Sequence, residues 1–224
     1  MVKPRVPEGG AIEDNSEMTM EEYSERMKKK MGFEYRRFVK YILKHLSLPE
    51  NAKVLEIGPG PGWIGIWLAK ERPDITLDGL EASSDMIRFA RRNAEDENVA
   101  NQVRYIHDVV ENMDMIPDDT YDLIISNDSL HHWNDPLKGF LEIARVLKPD
   151  GQLHIEDERR DLGLRGKLVL YLIGPLVARS DWKWWKSSIR ASYTPEEIRT
   201  FLEQGNLTDW IVKPNFMGIA IEIE

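Results

Sequence analysis

The residues best equipped for chemistry sit in a few short stretches of this chain. Val54-Leu55-Glu56-Ile57 is an apolar run carrying one acid, and it leads straight into Gly58-Pro59-Gly60-Pro61-Gly62-Trp63. A strand that ends in a glycine-rich turn and opens a helix lets a ligand approach the backbone closely. Glycine removes the side chain there, and the helix N-terminus offers free N–H groups. Pro59 and Pro61 have no N–H, so the usable donors belong to Gly58, Gly60, Gly62 and Trp63. On spacing alone the ligand stays open, because Gly60-Pro61-Gly62-Trp63-Ile64-Gly65 also matches the G-x-G-x-x-G pattern of dinucleotide enzymes. A second stretch, Asn127-Asp128-Ser129-Leu130-His131-His132-Trp133, carries adjacent imidazoles. Either could deprotonate or orient a substrate group, since histidine titrates near neutral pH. His131 and His132 are adjacent and are expected not to face the same way. The same pair serves equally well as scaffold or helix cap. The five histidines (45, 107, 131, 132 and 154) show no other chelating spacing, so no metal site is expected.

Composition sets the limits within which these groups act. The chain has 224 residues, enough for one domain with a sizeable core. It lacks cysteine, which excludes disulfides, thiolate metal sites and cysteine nucleophiles. Thirty Lys and Arg against 39 Asp and Glu give a net charge of −9, which disfavours a general nucleic-acid partner, so no DNA binding is expected. The longest apolar run, Leu168 to Ala178, is broken by Gly174-Pro175 and is too short to span a bilayer. The N-terminal residues contain no apolar core of a secretory signal, and the expected compartment is the cytoplasm.

Periodicity supplies the elements that must position the chemistry. Residues 1–18, rich in Pro, Gly and acids, read as a flexible arm, and 19–224 as one domain. A helical cap over 19–48 is expected as two helices, Thr19–Met31 and Phe33–Leu46. Strands are predicted at Lys53–Ile57, Ile75–Leu80, Val103–Ile106, Tyr121–Ser126 and Gln152–Ile155. Helices are predicted between them at Trp63–Lys70, Asp85–Glu95 and Leu137–Leu147. In the last, Asp135 caps, Pro136 suits the first turn, and Leu137, Phe140, Leu141, Ala144 and Leu147 form the apolar stripe. Thr194-Pro195-Glu196-Glu197 has capping-box spacing and starts a helix to Gln204. The runs Leu207–Val212 and Phe216–Ile223 then form an antiparallel edge pair. Strand–helix alternation of this kind predicts a doubly wound, mostly parallel α/β sheet with helices on both faces.

With these stretches in order, the chain resembles the class I S-adenosylmethionine (AdoMet) dependent methyltransferases. Glu56-Ile57-Gly58-Pro59-Gly60-Pro61-Gly62 is similar to that family's E/D-x-G-x-G-x-G signature, whose acid two places before the first glycine has no place in the nicotinamide fingerprint. Glu81, in Gly79-Leu80-Glu81-Ala82-Ser83-Ser84-Asp85-Met86, follows where the family's second strand ends. His107-Asp108-Val109 follows the third strand, Ser126-Asn127 the fourth, and Arg145-Val146-Leu147-Lys148-Pro149-Asp150-Gly151 precedes the fifth.

The resemblance implies a Rossmann-like seven-stranded fold and AdoMet as cofactor, with S-adenosylhomocysteine as product. The cofactor site would be built from Glu56, Gly58, Gly60, Gly62, Glu81, Ala82, Met86, Asp108, Val109 and Asn127. Glu81 would accept from the ribose hydroxyls, and Asp108 from the adenine amino group, while the Val109 N–H donates to a ring nitrogen. Met86 and Ile87 would pack on the adenine or simply join the core. Asn127 would address the methionine portion or the substrate, and Glu56 would brace the loop or meet the ligand's ammonium. His131 and His132 are the candidate catalytic groups. The absence of a Pro-Pro-aromatic sequence after the fourth strand argues against DNA-base and glutamine-amide methylation. The expected acceptor is a small, apolar molecule. A macromolecular acceptor and a non-catalytic AdoMet-binding module are the alternatives.

Residues 157–193 interrupt the pattern. An apolar stretch, Leu162–Ala178, is followed by Trp182, Trp184 and Trp185, three of the seven tryptophans, mixed with Lys and Arg. This segment is expected to be a lid over the acceptor. Ordinary core, contact with a membrane surface and a partner subunit are the alternative readings.

Overall fold

The computed structural model describes residues 2–7 and 20–224. Its centre is a seven-stranded sheet in the order β3-β2-β1-β4-β5-β7-β6. The strands are β1 (Lys53–Ile57), β2 (Thr76–Glu81), β3 (Val103–His107), β4 (Tyr121–Asn127), β5 (Leu147–Glu158), β6 (Trp210–Pro214) and β7 (Gly218–Ile223). The first five are parallel, and β7 enters antiparallel between β5 and β6. The strand order reverses at β1 and β4, and in sheets of this kind the crevice opens at the carboxyl ends of the strands flanking that reversal. The glycine turn ends β1, and Asn127-Asp128 ends β4, so both lie at that crevice.

Helices cover both faces. On one face, α1 (Met20–His45), α2 (Trp63–Glu71) and α3 (Ser84–Asp96) pack over a core of Phe38, Ile42, Val54, Trp63, Leu68, Ile87 and Leu123. On the other, α4 (Pro136–Val146) and α8 (Pro195–Gln204) cover Leu55, Leu80, Tyr121, Phe140, Ile143 and Ile221. The predicted caps are present. Asp135 accepts from the Lys138 N–H at 3.1 Å, and Thr194 and Glu197 form a reciprocal capping box.

Several sequence expectations need correction. The two predicted cap helices are one continuous α1. Gly32 does not break it: one glycine inside a helix costs only about 1 kcal/mol, and the flanking Met31, Tyr35 and Phe38 anchor the helix on the core. Thr19 lies outside the described residues. The buried stripe of α4 runs through Pro136, Gly139, Phe140, Ile143 and Val146, while Leu141 is exposed, so the helix is rotated by about one position from the expected stripe. β5 begins at Leu147, the residue at which the expected helix was to end, and five residues before the expected strand start at Gln152. Leu147 pairs with Tyr121, the chain loops out through Lys148–Gly151, and pairing resumes at Gln152 opposite Leu123. β2, β6 and β7 begin one to three residues later than predicted. The apolar stretch after β5 is not one helix. It consists of α5 (Leu164–Leu168), a π-turn (Val169–Ile173) and α6 (Gly174–Val177), followed by α7 (Trp182–Ala191).

Of the N-terminal arm, residues 2–7 lie against the domain, and residues 1 and 8–18 lie outside the described residues. The Arg5 guanidinium donates to the carbonyls of Ala191 (2.5 Å) and His131 (2.6 Å) and lies 4.3 Å over the Tyr193 ring. Val6 N–H donates to Arg190, and Arg160 donates to the Lys3 carbonyl.

Candidate active site

The glycine turn owes its shape to three left-handed residues: Gly58, Gly60 and Gly62 have φ of 67°, 52° and 82°. A side chain at Gly58 would run into Ser129, and one at Gly62 into the Tyr105 hydroxyl. At Gly60 it would meet nothing within 4 Å among the described residues, so the turn's middle borders open space. The turn is held from below by main-chain bonds, with Gly58 N–H donating to Leu80 and Gly62 N–H to Pro59. From α1 and α3, Ser24 and Asn93 close one flank. Asn93 Nδ2 donates to Ser24 Oγ and to the Pro61 carbonyl, and the Trp63 indole N–H donates to the Ser24 carbonyl.

Glu81 ends β2 beside this turn. Its carboxylate accepts from the Gly60 N–H (3.0 Å) and the Ser83 N–H (2.9 Å), and burial pushes its pKa above the usual range. Ser83 in turn caps α3, accepting from the Met86 N–H. Met86 is buried at the start of that helix, and Ile87 belongs to the core beneath α1. Ala82 is exposed, and its carbonyl lies 3.0 Å from His107 Nε2. Past β3, Asp108 turns back on its own loop: its Oδ1 accepts from the Val109 N–H (2.9 Å) and from Asn112 Nδ2 (3.2 Å). The Val109 N–H that adenine recognition would use is therefore satisfied locally in this structure.

Glu56 lies under the turn, 3% exposed. It accepts from the Gly65 N–H, but its Oε2 has no hydrogen-bond partner among the described residues. Burial pushes its pKa up to about 8, with the Glu81 charge adding to the rise. A carboxyl kept so far from water, with one oxygen unmatched, is suited to receive a cation.

Across the crevice, β4 and β5 bring a second group together. Asn127 pairs in register with Glu156, and its Nδ2 donates to Asp128 Oδ2 at 2.8 Å. Asp128 itself has φ 52° and is exposed, yet a recessed setting and the neighbouring Asp157 charge raise its pKa. His131 and Asp157 form a buried pair, their side chains 3% and 1% exposed. Asp157 Oδ1 lies 2.8 Å from His131 Nδ1, Oδ2 accepts from the His131 main-chain N–H, and Oδ1 also accepts from the Glu158 N–H. Burial works against the imidazolium, but Asp157 outweighs it and raises His131 to about 9. His132 is pushed the other way, to about 4, by desolvation and the neighbouring His131 charge. Glu158 lies beside this pair, raised by burial and the nearby acids, and hydrogen-bonds Trp185 of α7.

The adjacent histidines are not turned apart as expected: their ring centroids are 4.1 Å apart. They sit in a tight 3-10 turn, Leu130–His132, and not on extended chain, which removes the divergence expected from sequence. Asp128, Asp157 and Glu158 were not singled out by sequence reasoning. The available signal was their placement just past the ends of two predicted strands flanking the reversal, where ligands bind in open α/β sheets.

A family model described as a methyltransferase domain matches residues 55–155. An uncharacterized methyltransferase of Bacillus subtilis, YdaC, is 30% identical over 131 residues, covering 58% of this chain and 70% of its own length. The chain belongs to the class I AdoMet-dependent methyltransferases.

A demethylmenaquinone methyltransferase of a Geobacillus species is 24% identical over 200 residues, covering 83% of this chain and 85% of that one. Another relative, YcgJ of Bacillus subtilis, is matched over only 44% of its length. Among solved structures, an AdoMet-dependent methyltransferase from Aquifex aeolicus superposes with a TM-score of 0.66 at 19% identity, covering 92% of this chain and 98% of that one, which establishes the fold. The methyltransferase assignment also closes the nicotinamide reading of Gly60–Gly65. Among the described residues no cluster could hold a metal ion, and no helix is long and apolar enough to cross a membrane.

Proposed function

We propose that this methyltransferase seats AdoMet along Gly58–Gly62 and Glu81 and passes its methyl group to a small molecule held in the recess of Asp128, His131, His132 and Glu158. The observation that carries this reading is the glycine turn with Glu81 beside it. The open space at Gly60, the carboxylate at the strand end and the unmatched Glu56 oxygen suit a ligand with a diol at one place and a cation at another. Glu81 would exchange its bonds to Gly60 and Ser83 for ribose hydroxyls. Glu56 would receive the amino group, and Met86 and the exposed Val109 would flank the base, with Asp108 taking the amino edge once it releases Asn112. Ala82 and Asn127 complete the rim.

When bound, AdoMet would supply a methyl group activated by its sulfonium: the acceptor's lone pair bonds to the methyl carbon as the opposite carbon–sulfur bond breaks and its electrons pass to sulfur, releasing S-adenosylhomocysteine. The protein's own work is then orientation and exclusion of water. The recess supplies charge and proton handling. His131, held as imidazolium by Asp157, is a donor at neutral pH, while His132 is a neutral imidazole. Asp128, with its pKa raised toward neutrality, is the group best matched to take a proton from the acceptor's nucleophile. Residues 157–193 form the acceptor side of the site, with Trp185 reaching it through Glu158. The relatedness to a demethylmenaquinone methyltransferase supports a small, apolar acceptor.

Calorimetry with AdoMet, S-adenosylhomocysteine and NAD(H) tests the cofactor site. Saturable binding of the first two alone is expected, and Glu81→Ala should weaken it by about 1–3 kcal/mol with little change in melting. Intact AdoMet affinity in a folded Glu81→Ala protein would show that the site lies elsewhere.

A further inference from the structure

The segment after β5 holds the most exposed apolar surface in the described chain. Only one stripe of it faces the protein. Leu162, Gly166, Leu170 and Gly174, four residues apart in turn, are buried. Leu162 and Leu170 join Ile189 in a small cluster separate from the two cores of the sheet. The Trp182 indole N–H donates to the Leu170 carbonyl at 2.6 Å and pins the stripe to α7. The remaining faces are apolar as well, and they point to solvent. Leu164 and Leu176 are each 76% exposed, Leu172 63% and Val177 75%, with Tyr171 and Leu168 beside them. Apolar surface left outside the sheet's two cores belongs against a partner or lipid, and only the Leu162–Leu170 stripe of this segment is buried. Patches of this kind on a soluble domain mark an interaction surface.

Charge indicates the partner. Residues 162–190 carry six Lys and Arg against the single Asp181, in a chain whose net charge is −9. Arg165 and Lys167 flank the apolar face at its start, and Arg179 and Lys183 at its end. All four are exposed and make no ion pair with the described residues. Asp181 is already matched by Arg26 and Lys30 of α1. Trp184, half-buried, lies under the Arg26 guanidinium of α1, and Trp185 packs inward on the buried stripe, so the exposed face is left to the aliphatic side chains and the cations.

We infer that Leu164–Lys186 docks this protein onto an anionic lipid surface, the apolar faces entering the acyl boundary and the four cations meeting the headgroups. The docking requires no spanning helix: the apolar pieces are short and lie alongside the domain. The chain as a whole carries a net charge of −9, so a basic rim beside the apolar face favours approach by that side.

The test is sedimentation of the full chain with vesicles of phosphatidylcholine alone, or of phosphatidylcholine and phosphatidylglycerol in equal parts. Light scattering and AdoMet calorimetry are run on the same samples. Binding is expected to the anionic vesicles and to fall with salt. Arg165→Gln with Lys183→Gln should weaken it roughly 10- to 30-fold, about fivefold per charge. Leu172→Glu with Leu176→Glu should abolish it, with melting temperature and AdoMet affinity unchanged. Absence of binding to either vesicle would overturn the proposal, as would equal binding to both. A dimer in solution that Leu172→Glu with Leu176→Glu dissociates would also overturn it, assigning the face to a second copy. Loss of AdoMet binding in the unmodified chain would count against the cofactor site instead, leaving the vesicle result to be read by itself.

Discussion

Replacing Glu56 by glutamine should make the ligand-free protein more stable while weakening its hold on AdoMet. Burial drives the Glu56 carboxyl from an ordinary 4.5 to about 8. The unfolded chain releases this proton near pH 4.5 and the folded one only near 8, so stability is lost as pH rises between those values. A tenfold change in proton affinity corresponds to about 1.4 kcal/mol. At pH 7.5 the native state therefore carries a penalty of about 2–4 kcal/mol that an uncharged isostere would not. The glutamine carbonyl can still accept from the Gly65 N–H, so little is lost in exchange. For a domain of this size the gain corresponds to a rise of roughly 5–10 °C in melting temperature. Melting curves of both proteins from pH 5 to 8.5, without ligand, read the effect directly. The advantage of Glu56→Gln should be under about 1 kcal/mol at pH 5 and grow steadily toward pH 8. In the same proteins the AdoMet dissociation constant at pH 8 should rise at least tenfold, because a neutral amide cannot offset the ligand's ammonium. A variant no more stable than the parent at pH 7.5, or one whose advantage does not change with pH, would refute the assignment of Glu56 as a desolvated carboxyl held for a cation.

Gly60→Ala places a methyl group in the open space beside the turn at φ 52°; stability should fall by about 1–2 kcal/mol, the strain of a left-handed alanine, while AdoMet affinity falls more than tenfold by calorimetry. Asp157→Asn removes the partner that holds His131 near 9. Since a raised histidine stabilises the fold below its unfolded pKa of 6.5 and loses that effect through 9, the variant should be about 3 kcal/mol less stable at pH 6, with a deficit that narrows by pH 10 in denaturant titrations. Trp182→Ala should lower the melting temperature, since the half-buried ring packs on Gly174 and bonds the Leu170 carbonyl, at about 1–3 kcal/mol. Trp185→Phe keeps the packing but removes the hydrogen bond to buried Glu158, so melting should fall modestly, by about 1–2 kcal/mol, while AdoMet affinity stays nearly unchanged and the acceptor KM shifts.

Much of this protein follows from local sequence. Strand and helix order came from apolar runs and periodicity, since a buried parallel strand and an amphipathic helix each leave a short-range signature. The glycine turn was legible because left-handed backbone and close approach demand glycine at Gly58 and Gly62 whatever the rest of the chain does. The capping box at Thr194 and Glu197 was legible for the same reason, being complete within four residues. The acidic recess was not. Asp128 and the Asp157–Glu158 pair meet only because β4 and β5 pair with Asn127 opposite Glu156, and that register is set by the whole sheet. Nor could sequence show that α1 runs unbroken through Gly32, which depends on residues on both sides of it, Met27 and Met31 before and Tyr35 and Phe38 after, packing on one core. The docking of Arg5 on Ala191, His131 and Tyr193 joins residues more than a hundred positions apart. Tertiary structure also decided which stripe of Leu162–Ala178 is buried. A segment apolar on every side carries no periodicity to choose one, and the choice was made by where Trp182, Met217 and Ile189 left room for it.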